Sequence, residues 1–529
     1  MTPFHTLQPG WVYLTLRAAL HARDGVRASH AGTATELTTW WACSGKTARR
    51  HLARLGEEGR VNYAPGRGRG NTSRLTFSAD LREELEALTE ALAGQGMAGE
   101  LARLSRLPFP RAWVLTEAAR GVFGLGEARP GVDRLRTVYT RDLTSLDPLH
   151  ASATMEAHLL AQVLDPLVHF DPDTGAAAPH LAHHWNPAED GLRWTFHLRK
   201  GVAFHHGRTL DAGDVRATLE RVQAGAAWFL PGLEAVEEAG PYAVRLHLSR
   251  PDAFLPRRLA DTQALILPRD VPFDEARPVG TGAFCWTPLE GGFRLSAFDA
   301  HFAGRPLIDE VEFYRVDHRD QITLLDVTGE NAEAHRDTWQ AEVGVQFLIW
   351  NGHRPAARGP FLRAAICELH DVAAYWRETG QAAPLIPATS FYPRRSAGQP
   401  LRHRSEEQAA KRLRASGYAG EPLFLWALPW AEPLAEAHWL AERAARHGIK
   451  LEVRPSELVE DPSGEADLLL MGEVAGADEH LAFWTAMRQP ERSFRRLLPP
   501  DVLNALDGAL DGYRAALSFE EREAPFWTG

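Results

Sequence analysis

Hydrophobic residues near the N-terminus of the chain recur at helical spacing. Residues 11–21 are apolar on most of one helical face and predict a first helix. Thr33 and Glu36 have the spacing of a capping box, which predicts the start of a second helix. After a short break, a third helix is predicted from about residue 45 to residue 55. The pattern therefore predicts a small helical domain at the N-terminus.

The third predicted helix is strongly amphipathic. Ala48, Leu52 and Leu55 are spaced i, i+4 and i+7, so they predict one buried stripe. Ser44 precedes the helix and is a favourable N-cap residue. The other side carries polar and basic residues, namely Lys46, Thr47, Arg49, Arg50 and Arg54. Such a surface is typical either of a solvated helix or of a helix that binds DNA.

A basic β-hairpin is predicted directly after the third helix. Apolar residues alternate in residues 61–63 and again in residues 75–77, and the flexible turn PGRGRGN separates the two segments. Three helices followed by a basic hairpin are the pattern of a winged helix-turn-helix. In that fold the third helix enters the major groove, and the hairpin contacts phosphates or the minor groove. The residues that we expect to bind DNA are Ser44, Lys46, Thr47, Arg49, Arg50, Arg54, Arg67, Arg69 and Arg74.

Two regions of opposite charge share the chain. The 529 residues include 58 Lys and Arg and 69 Asp and Glu, which gives a formal net charge of −11. Residues 1–78 contain eleven basic and four acidic residues, so they carry 11 − 4 = +7 and leave −11 − 7 = −18 for the remainder. The basic region favours DNA binding, whereas the acidic remainder indicates a different role.

The acidic remainder is predicted to be a mixed α/β region. Residues 80–133 read as a helical connector, and strands and helices alternate after it. Three segments have the period of two that predicts strands with one apolar face. These faces are Trp194, Phe196 and Leu198, then Val244, Leu246 and Leu248, and then Val311 and Phe313. The order predicts a large α/β architecture with more than one lobe.

Motifs for catalysis and export are absent from the sequence. The three cysteines lie far apart, so no disulfide framework is predicted. Residues 43–47 (CSGKT) look like the end of a phosphate-binding loop, but Trp40 stands where that motif needs a glycine. We therefore expect no enzyme and no cofactor. No secretory signal or transmembrane stretch is recognisable, so we expect a cytoplasmic protein without a membrane partner.

One long segment resembles a known family. Residues 181–215, LAHHWNPAEDGLRWTFHLRKGVAFHHGRTLDAGDV, are similar to the signature of the family 5 extracellular solute-binding proteins. PVGTGAF (278–284), with Ala283 where the family has proline, and AAKRLRASGY (409–418) agree in order. The resemblance covers roughly residues 136–510. It implies a two-lobed α/β fold of the periplasmic-binding-protein type (class II, oligopeptide-binder-like) that closes on a solute.

A winged helix ahead of such a domain resembles the SgrR-type transcriptional regulators. The resemblance implies a multidomain DNA-binding regulator that senses a sugar phosphate, a peptide or a similar metabolite. The implied domains are a winged helix over residues 1–79, the connector over 80–133 and the solute-binding domain over 134–529. Lobe one would span about 134–316 plus a C-terminal return, and lobe two about 317–500. The alternative is a transport-type solute-binding protein with a vestigial N-terminal extension.

The same resemblance indicates ligand-binding residues. Glu156 lies in a stretch that matches the family segment whose glutamate lines the cleft, and His158 is a weaker neighbour. Residues 466–484 match the family segment whose aspartate pairs with a peptide amine, and Asp478 is the nearest match, with Glu473 as its rival. The candidate apolar walls are Trp350 and Trp426.

Three further features remain open or negative. The histidines of AHHW and FHHGR lie in family motifs without a completing Cys or carboxylate pattern, so we expect no metal site. The chain ends at SFEEREAPFWTG, where family domains usually continue with a strand that returns to lobe one, so this strand is expected to be short or missing. The connector is compatible with a homodimer as well as with a spacer.

Overall fold

The structure is a computed structural model that describes residues 9–66, 72–114, 116–316, 344–380, 388–391, 402–458, 460–476 and 478–515. These residues fall into two compact units. The first unit holds the described residues up to 142 together with 287–296 and 307–316. The second unit holds residues 143–286, 297–306 and the described residues from 344 onward.

The first unit begins with three helices and three short strands. They are α1 (Pro9–Asp24), β1 (Ser29–Gly32), α2 (Ala34–Trp40), α3 (Gly45–Glu57), β2 (Asn62–Ala64) and β3 (Ser73–Thr76). Strand β3 pairs antiparallel with both of the others, so the sheet order is β1–β3–β2. This order of elements is that of a winged helix-turn-helix.

Helix α3 has the amphipathic character that the sequence predicts. Ala48, Leu52 and Leu55 are at most 4% exposed and pack into the core of the winged helix. Ser44 caps the helix, because the Thr47 N–H donates to the Ser44 hydroxyl at 3.3 Å. The local signals of spacing and capping are therefore sufficient to define this helix.

One arginine of the basic region is buried rather than exposed. Arg17 is 4% exposed, and its guanidinium donates to the Tyr13 hydroxyl at 2.7 Å and lies 4.3 Å from the Phe77 ring centre. The Tyr13 hydroxyl in turn donates to Glu84 at 2.7 Å. Since Glu84 belongs to the connector, these contacts tie the winged helix to the segment that follows it.

The connector is helical only in its first part. Its helices are α4 (Leu81–Gly94), α5 (Ala98–Ser105), α6 (Arg111–Val114) and α7 (Glu117–Arg120). The prediction of a helical connector up to residue 133 was wrong at its end, because β4 (Gly124–Arg129) and β5 (Val132–Tyr139) follow as a hairpin. These two strands join β12 (Phe284–Leu289), β13 (Gly292–Ala297) and β14 (Glu310–Arg315) in a sheet of order β12–β13–β14–β5–β4.

Strand β14 buries the face opposite to the predicted one. Val311 and Phe313 are only partly buried, whereas Glu312 is 2% and Tyr314 is 7% exposed. The Tyr314 hydroxyl donates to the Glu312 carboxylate at 2.9 Å. Arginines from the flanking strands contact the same carboxylate at 2.6–3.4 Å, namely Arg134, Arg136 and Arg294. Burial raises the pKa of Glu312, but the hydrogen bonds from Arg294 and Tyr314 outweigh it and hold the pKa below its ordinary value.

Most of predicted lobe one lies in the second unit, whereas its segments 134–142, 287–296 and 307–316 belong to the first unit. The elements of this lobe in the second unit are α8 (Thr154–Val163), β6 (Val168–Asp171), β7 (Ala176–Pro179), β8 (Ala182–Pro187), β9 (Arg193–Leu198), α9 (Ala212–Gly225), β10 (Leu233–Glu238), β11 (Ala243–Leu248), α10 (Leu255–Arg258) and the 3-10 turn Thr262–Ala264. Four strands form an antiparallel sheet of order β10–β11–β9–β8, and β6 pairs with β7. The predicted alternation is confirmed, because Phe196, Val244 and Leu246 are all 0% exposed.

Lobe two is a second, mixed sheet covered by helices. Its elements are β15 (Gly344–Trp350), the 3-10 turn Pro355–Arg358, α11 (Pro360–Leu369), α12 (Val372–Thr379), α13 (Glu406–Ser416), β16 (Leu423–Ala427), α14 (Ala431–Arg446), β17 (Leu451–Pro455) and β18 (Leu468–Val474). The sheet order is β15–β18–β16–β17. Apolar residues of α11, α13 and α14 pack on this sheet and form the lobe-two core.

The described chain returns to lobe one through helices. Strand β18 is followed by α15 (Glu479–Arg488), α16 (Ser493–Leu497) and α17 (Pro500–Ala515). Leu481 and Trp484 of α15 and Leu510 of α17 belong to the same core as Phe196 of lobe one. The expectation about a return strand concerns residues 518–529, which lie outside the described residues.

Glu312→Gln is expected to destabilise the protein by about 2–4 kcal/mol, because it removes the charge that compensates three partly buried guanidinium groups. The urea midpoint of unfolding should therefore fall. Glu234→Gln is the matched control, since Glu234 lies exposed on β10 and should change stability by less than about 0.5 kcal/mol. Equal midpoints for the two variants would contradict the structural role of Glu312.

Candidate nucleic-acid interface and solute cavity

The outer face of α3 carries most of the predicted DNA-binding residues. Those exposed to solvent are Ser44, Lys46, Arg49, Arg50 and Arg54, and Thr47 is half-buried. The Arg49 side chain donates to the Gly45 carbonyl at 3.2 Å, and Arg54 donates to Glu58 at 3.1 Å. Surface contacts of this kind contribute little to stability, so these arginines are free to exchange them for contacts with DNA.

The wing is described only at its base. Arg74 is exposed on β3, where it is paired in register with Ala31 and Ala64. Arg67 and Arg69 belong to the segment 67–71, outside the described residues. The assignment of all these residues to DNA contact stays a prediction.

An aromatic residue fixes the position of α3 in the winged helix. Trp41 is 3% exposed, and its indole N–H donates to the Val12 carbonyl of α1 at 2.9 Å. The same indole packs edge-on against the His51 ring of α3, with ring centres 5.3 Å apart. Trp41 therefore connects α1 with α3, and the basic face of α3 is held on a rigid support.

A cavity of about 320 Å³ lies within the second unit. Lobe one lines it with the N-terminal half of α8, the end of α10 and the 3-10 turn that follows. The opposite wall is formed by the end of β18 and the beginning of α15. A concave cavity with a few convergent polar groups is the usual form of a small-molecule site, and about 300 Å³ is the lower end of the usual size range.

Both carboxylates that the sequence indicates in lobe two line this cavity, and both are paired with arginine. Asp478 caps α15 by accepting from the Leu481 N–H at 3.1 Å, and it accepts two hydrogen bonds from Arg257 at 2.6 and 2.7 Å. Glu473 is 4% exposed and accepts from Arg492 at 2.6 Å. Sequence reasoning did not identify either arginine.

Several acceptor atoms of the cavity are not fully used by the protein. Glu473 Oε1 and Gln263 Oε1 are buried and have no hydrogen-bond partner within the described part of the chain. Asp261 accepts from the Thr262 N–H at 2.7 Å. Burial raises the pKa of Asp261 to about 6, and the Asp478 carboxylate acts in the same direction. Burial also raises the pKa of Glu473, although Arg492 opposes this.

The remaining predicted ligand residues have other surroundings. Glu156 is 0% exposed and accepts from the Thr144 N–H at 2.6 Å and from its hydroxyl at 3.1 Å, so it stabilises the loop before α8. Trp350 and Trp426 pack in the cores of lobe two. None of the three is among the residues that line the cavity, whereas His158 is.

Comparison with known proteins explains this architecture. The family model described as bacterial extracellular solute-binding proteins, family 5, middle region, matches residues 176–494. The chain belongs to this family. A second model, described as the N-terminal region of the sugar transport-related sRNA regulator, matches residues 14–107, which run from within α1 of the winged helix past the end of α5 in the connector.

Two relatives illustrate the similarity in sequence. The chain is 31% identical over 443 residues to the uncharacterized protein YhjP of Bacillus subtilis, which covers 79% of this chain and 74% of that protein. It is 29% identical over 345 residues to the HTH-type transcriptional regulator SgrR of Yersinia enterocolitica, which covers 64% of this chain and 61% of that regulator. The match therefore spans about three fifths of the regulator's length.

Solved structures of other family 5 proteins share the fold. A dipeptide-binding protein from Pseudoalteromonas sp. SM9913, in complex with Met-Leu, has a TM-score of 0.62 at 18% identity and covers 74% of this chain and 90% of that chain. The murein tripeptide binding protein MppA of Escherichia coli has a TM-score of 0.61 at 17% identity, with 75% and 89% covered. At these identities the similarity shows the fold alone.

The histidines of the family 5 motifs have structural contacts in this chain. His205 lies with Nε2 at 2.9 Å from the Gly282 carbonyl and accepts from the Gly280 N–H at 3.3 Å, so it holds the PVGTGAF turn. His180 lies 2.7 Å from the Asp165 carboxylate in the lobe-one interior. Over the described ranges, no group of three His, Cys, Asp or Glu side chains is placed to hold a metal ion.

Asp261→Asn is expected to raise the melting temperature at pH 7 and to leave it unchanged near pH 4. The folded-state pKa of about 6 exceeds the ordinary value of 3.8, so the stabilisation by the bound proton is complete below pH 3.8 and is lost as the pH rises through 6. Asparagine keeps the cap on the Thr262 N–H and has no charge to gain.

Thermal unfolding across this pH range, with the exposed Asp173→Asn as a control, checks the prediction. A difference from the wild-type protein that is the same at pH 4 and pH 7 would contradict it.

Proposed function

We propose that this chain is a DNA-binding transcriptional regulator whose family 5 domain senses a small molecule. The observation that carries the proposal is the combination of an exposed basic helix, α3, with a domain of solute-binding fold. The match of residues 14–107 to the N-terminal region of a regulator family supports the same function. The partners are then double-stranded DNA and a solute.

The charge distribution supports DNA binding by the N-terminal region and a different role for the rest of the chain. The basic face of α3 attracts phosphates and supplies the side chains that read bases in the major groove. The acidic remainder of the chain, at −18 for residues 79–529 from the count above, is repelled by the same phosphates. DNA contact is therefore confined to the winged helix.

The cavity supports the sensing role. Glu473 and Asp478, which we propose as ligand residues, line it together with their partners Arg492 and Arg257. A solute regulates DNA binding only if it binds one arrangement of the protein more tightly than another. Glu156, Trp350 and Trp426 have less support as ligand residues, because they lie away from the cavity lining.

The alternative of a transport-type binding protein has less support. Its N-terminal extension would be vestigial, yet α3 has a regular cap, a buried stripe and an exposed basic face. Relatives and structural neighbours carry the names of regulators and binding proteins, and we propose no catalytic role.

A cytoplasmic location follows from the proposed contact with DNA. Within the described part of the chain, no helix combines the length and the hydropathy that a membrane span requires. Dimerisation through the connector stays a prediction.

The double variant Arg49→Ala/Arg50→Ala is expected to weaken DNA binding by about 1–3 kcal/mol for each hydrogen-bonded base that it no longer reads, and by less where a side chain meets only phosphate. The measurement is an electrophoretic mobility shift with the DNA upstream of the chain's own gene. Salt dependence should also become shallower, because fewer counterions are released.

Arg82→Ala provides the matched control for charge. Arg82 is exposed on α4 and paired with Glu86 at 2.8 Å, away from the α3 face. This variant should bind DNA like the wild-type protein. If the double variant also binds unchanged, α3 is not the recognition helix.

A further inference from the structure

A groove of about 670 Å³ lies on the winged helix, between helix α3 and the strands β2 and β3. We call it the α3–wing groove. Its floor is apolar, because Leu52, Val61 and Phe77 line it and are each at most 5% exposed. Ala53 and Gly56 of α3 also line it, and their small size leaves space that a larger side chain would fill. The volume lies within the usual range for a small-molecule site.

The charge of the groove comes from Arg49, the one charged side chain among the described residues that line it. Arg49 Nε donates to the Gly45 carbonyl at 3.2 Å, whereas its two terminal nitrogens donate to no described residue. The carboxylate of Glu58, at the end of α3, is already paired with Arg54 at 3.1 Å and with Arg60 at 3.7 Å. The groove therefore offers an uncompensated guanidinium, whose fork of N–H donors fits a carboxylate.

Neutral hydrogen-bonding groups line the strand side of the groove. Asn62 and Ser78 are exposed, and their side chains make no hydrogen bond to the described part of the chain. The Tyr63 hydroxyl, by contrast, is engaged with the Ser73 hydroxyl at 3.0 Å. An apolar floor, one cation and a few neutral polar groups are complementary to a molecule with an apolar body and one anionic group.

We propose that the α3–wing groove binds a small organic carboxylate with an apolar body, such as an aromatic ring, and that this carboxylate competes with DNA for Arg49. The ring covers the apolar floor, and the carboxylate accepts from the terminal nitrogens of Arg49. Binding of the carboxylate does not depend on the proposed function, but the competition rests on it, because it requires that Arg49 contacts DNA. Such a site would control the winged helix directly, in addition to the solute cavity of the family 5 domain.

A matched series of solutes tests the chemistry on the full-length protein. The solutes 3-phenylpropionate, 3-phenylpropanol and 3-phenylpropylamine share a phenyl ring and a three-carbon chain, and acetate supplies a carboxylate without the ring. At about 10 mM and pH 7 without DNA, 3-phenylpropionate is expected to raise the melting temperature by about 2 °C or more, and the other three by less. It is also expected to weaken the electrophoretic mobility shift with DNA.

The substitution Arg49→Gln tests the guanidinium. It is expected to weaken the binding of 3-phenylpropionate about tenfold or more, since charge-assisted hydrogen bonds are lost. Arg54→Gln is the matched control for carboxylate binding, because it makes the same charge change on the same helix and Arg54 does not line the groove. This control should retain the thermal stabilisation.

The substitution Ala53→Leu tests the groove itself. Ala53 is exposed, so a leucine there fills the groove without disturbing the core. The variant is expected to give the DNA shift of the wild-type protein, but the shift should no longer respond to 3-phenylpropionate. Ala87→Leu, at an exposed alanine of α4, is the matched control and should respond as the wild-type protein does.

The proposal is overturned if the alcohol, the amine or acetate stabilises the protein as much as 3-phenylpropionate, if 3-phenylpropionate has no effect, or if its effect survives both Arg49→Gln and Ala53→Leu. Stabilisation that leaves the DNA shift unchanged would overturn the competition. A weaker DNA shift of Ala53→Leu without solute would also overturn the proposal, since the DNA backbone then occupies the groove. Failure of the proposed function looks different, because the wild-type protein would then give no DNA shift even without solute.

Discussion

A buried carboxylate requires a compensating charge or hydrogen bond, and this requirement organises much of the chain. Glu312 forms ion pairs with three arginines. Asp214, which is 0% exposed, forms an ion pair with Arg208, and Asp478 forms one with Arg257. Each of these carboxylates loses its hydration on burial. Without a charged partner this loss would be uncompensated and would cost several kcal/mol of folding stability. Glu473 is the instructive exception. One of its two oxygens has no partner among the described residues. Since Glu473 lines the cavity, a bound molecule could supply the missing hydrogen bond there.

Elements whose signals are local could be predicted from the sequence. Helix α3 was predicted because its stripe, its cap and its charged face all lie within thirteen residues. Strand β1 was missed because its four residues, SHAG, contain no large apolar side chain. The face of β14 was predicted with the wrong orientation because Glu312 and Tyr314 occupy the buried positions. The burial of Glu312 is favourable because β5 and β13 supply three arginines to it. The hydrophobic pattern of β14 itself contains no information about these arginines.

The residues of the cavity could be predicted only in part, because some of their partners lie far away in the sequence. Resemblance to the family indicated Glu473 and Asp478, but not their partners. Arg257 lies 221 residues from Asp478 in sequence, so only the folded chain brings the two together. The motifs that identify the family serve the fold instead of the ligand. In PVGTGAF, for example, a Cβ on Gly280 would lie 2.2 Å from the Val163 carbonyl oxygen, so glycine permits the turn to pack against α8.

Within the first unit, side-chain and backbone contacts hold the winged helix in a defined position. Helix α5 packs so closely on the sheet that a Cβ on Gly99 would lie 2.8 Å from the Glu290 carbonyl oxygen. Arg103 of the same helix pairs with the Glu290 side chain at 3.0 Å and lies 4.2 Å from the Trp11 ring centre in α1. Within the first unit, the winged helix and helix α5 are therefore held to the β-sheet by close packing and by an ion pair. A solute can act through such a unit only by favouring one arrangement of the whole protein, and its regulatory effect is bounded by its difference in affinity for the two arrangements.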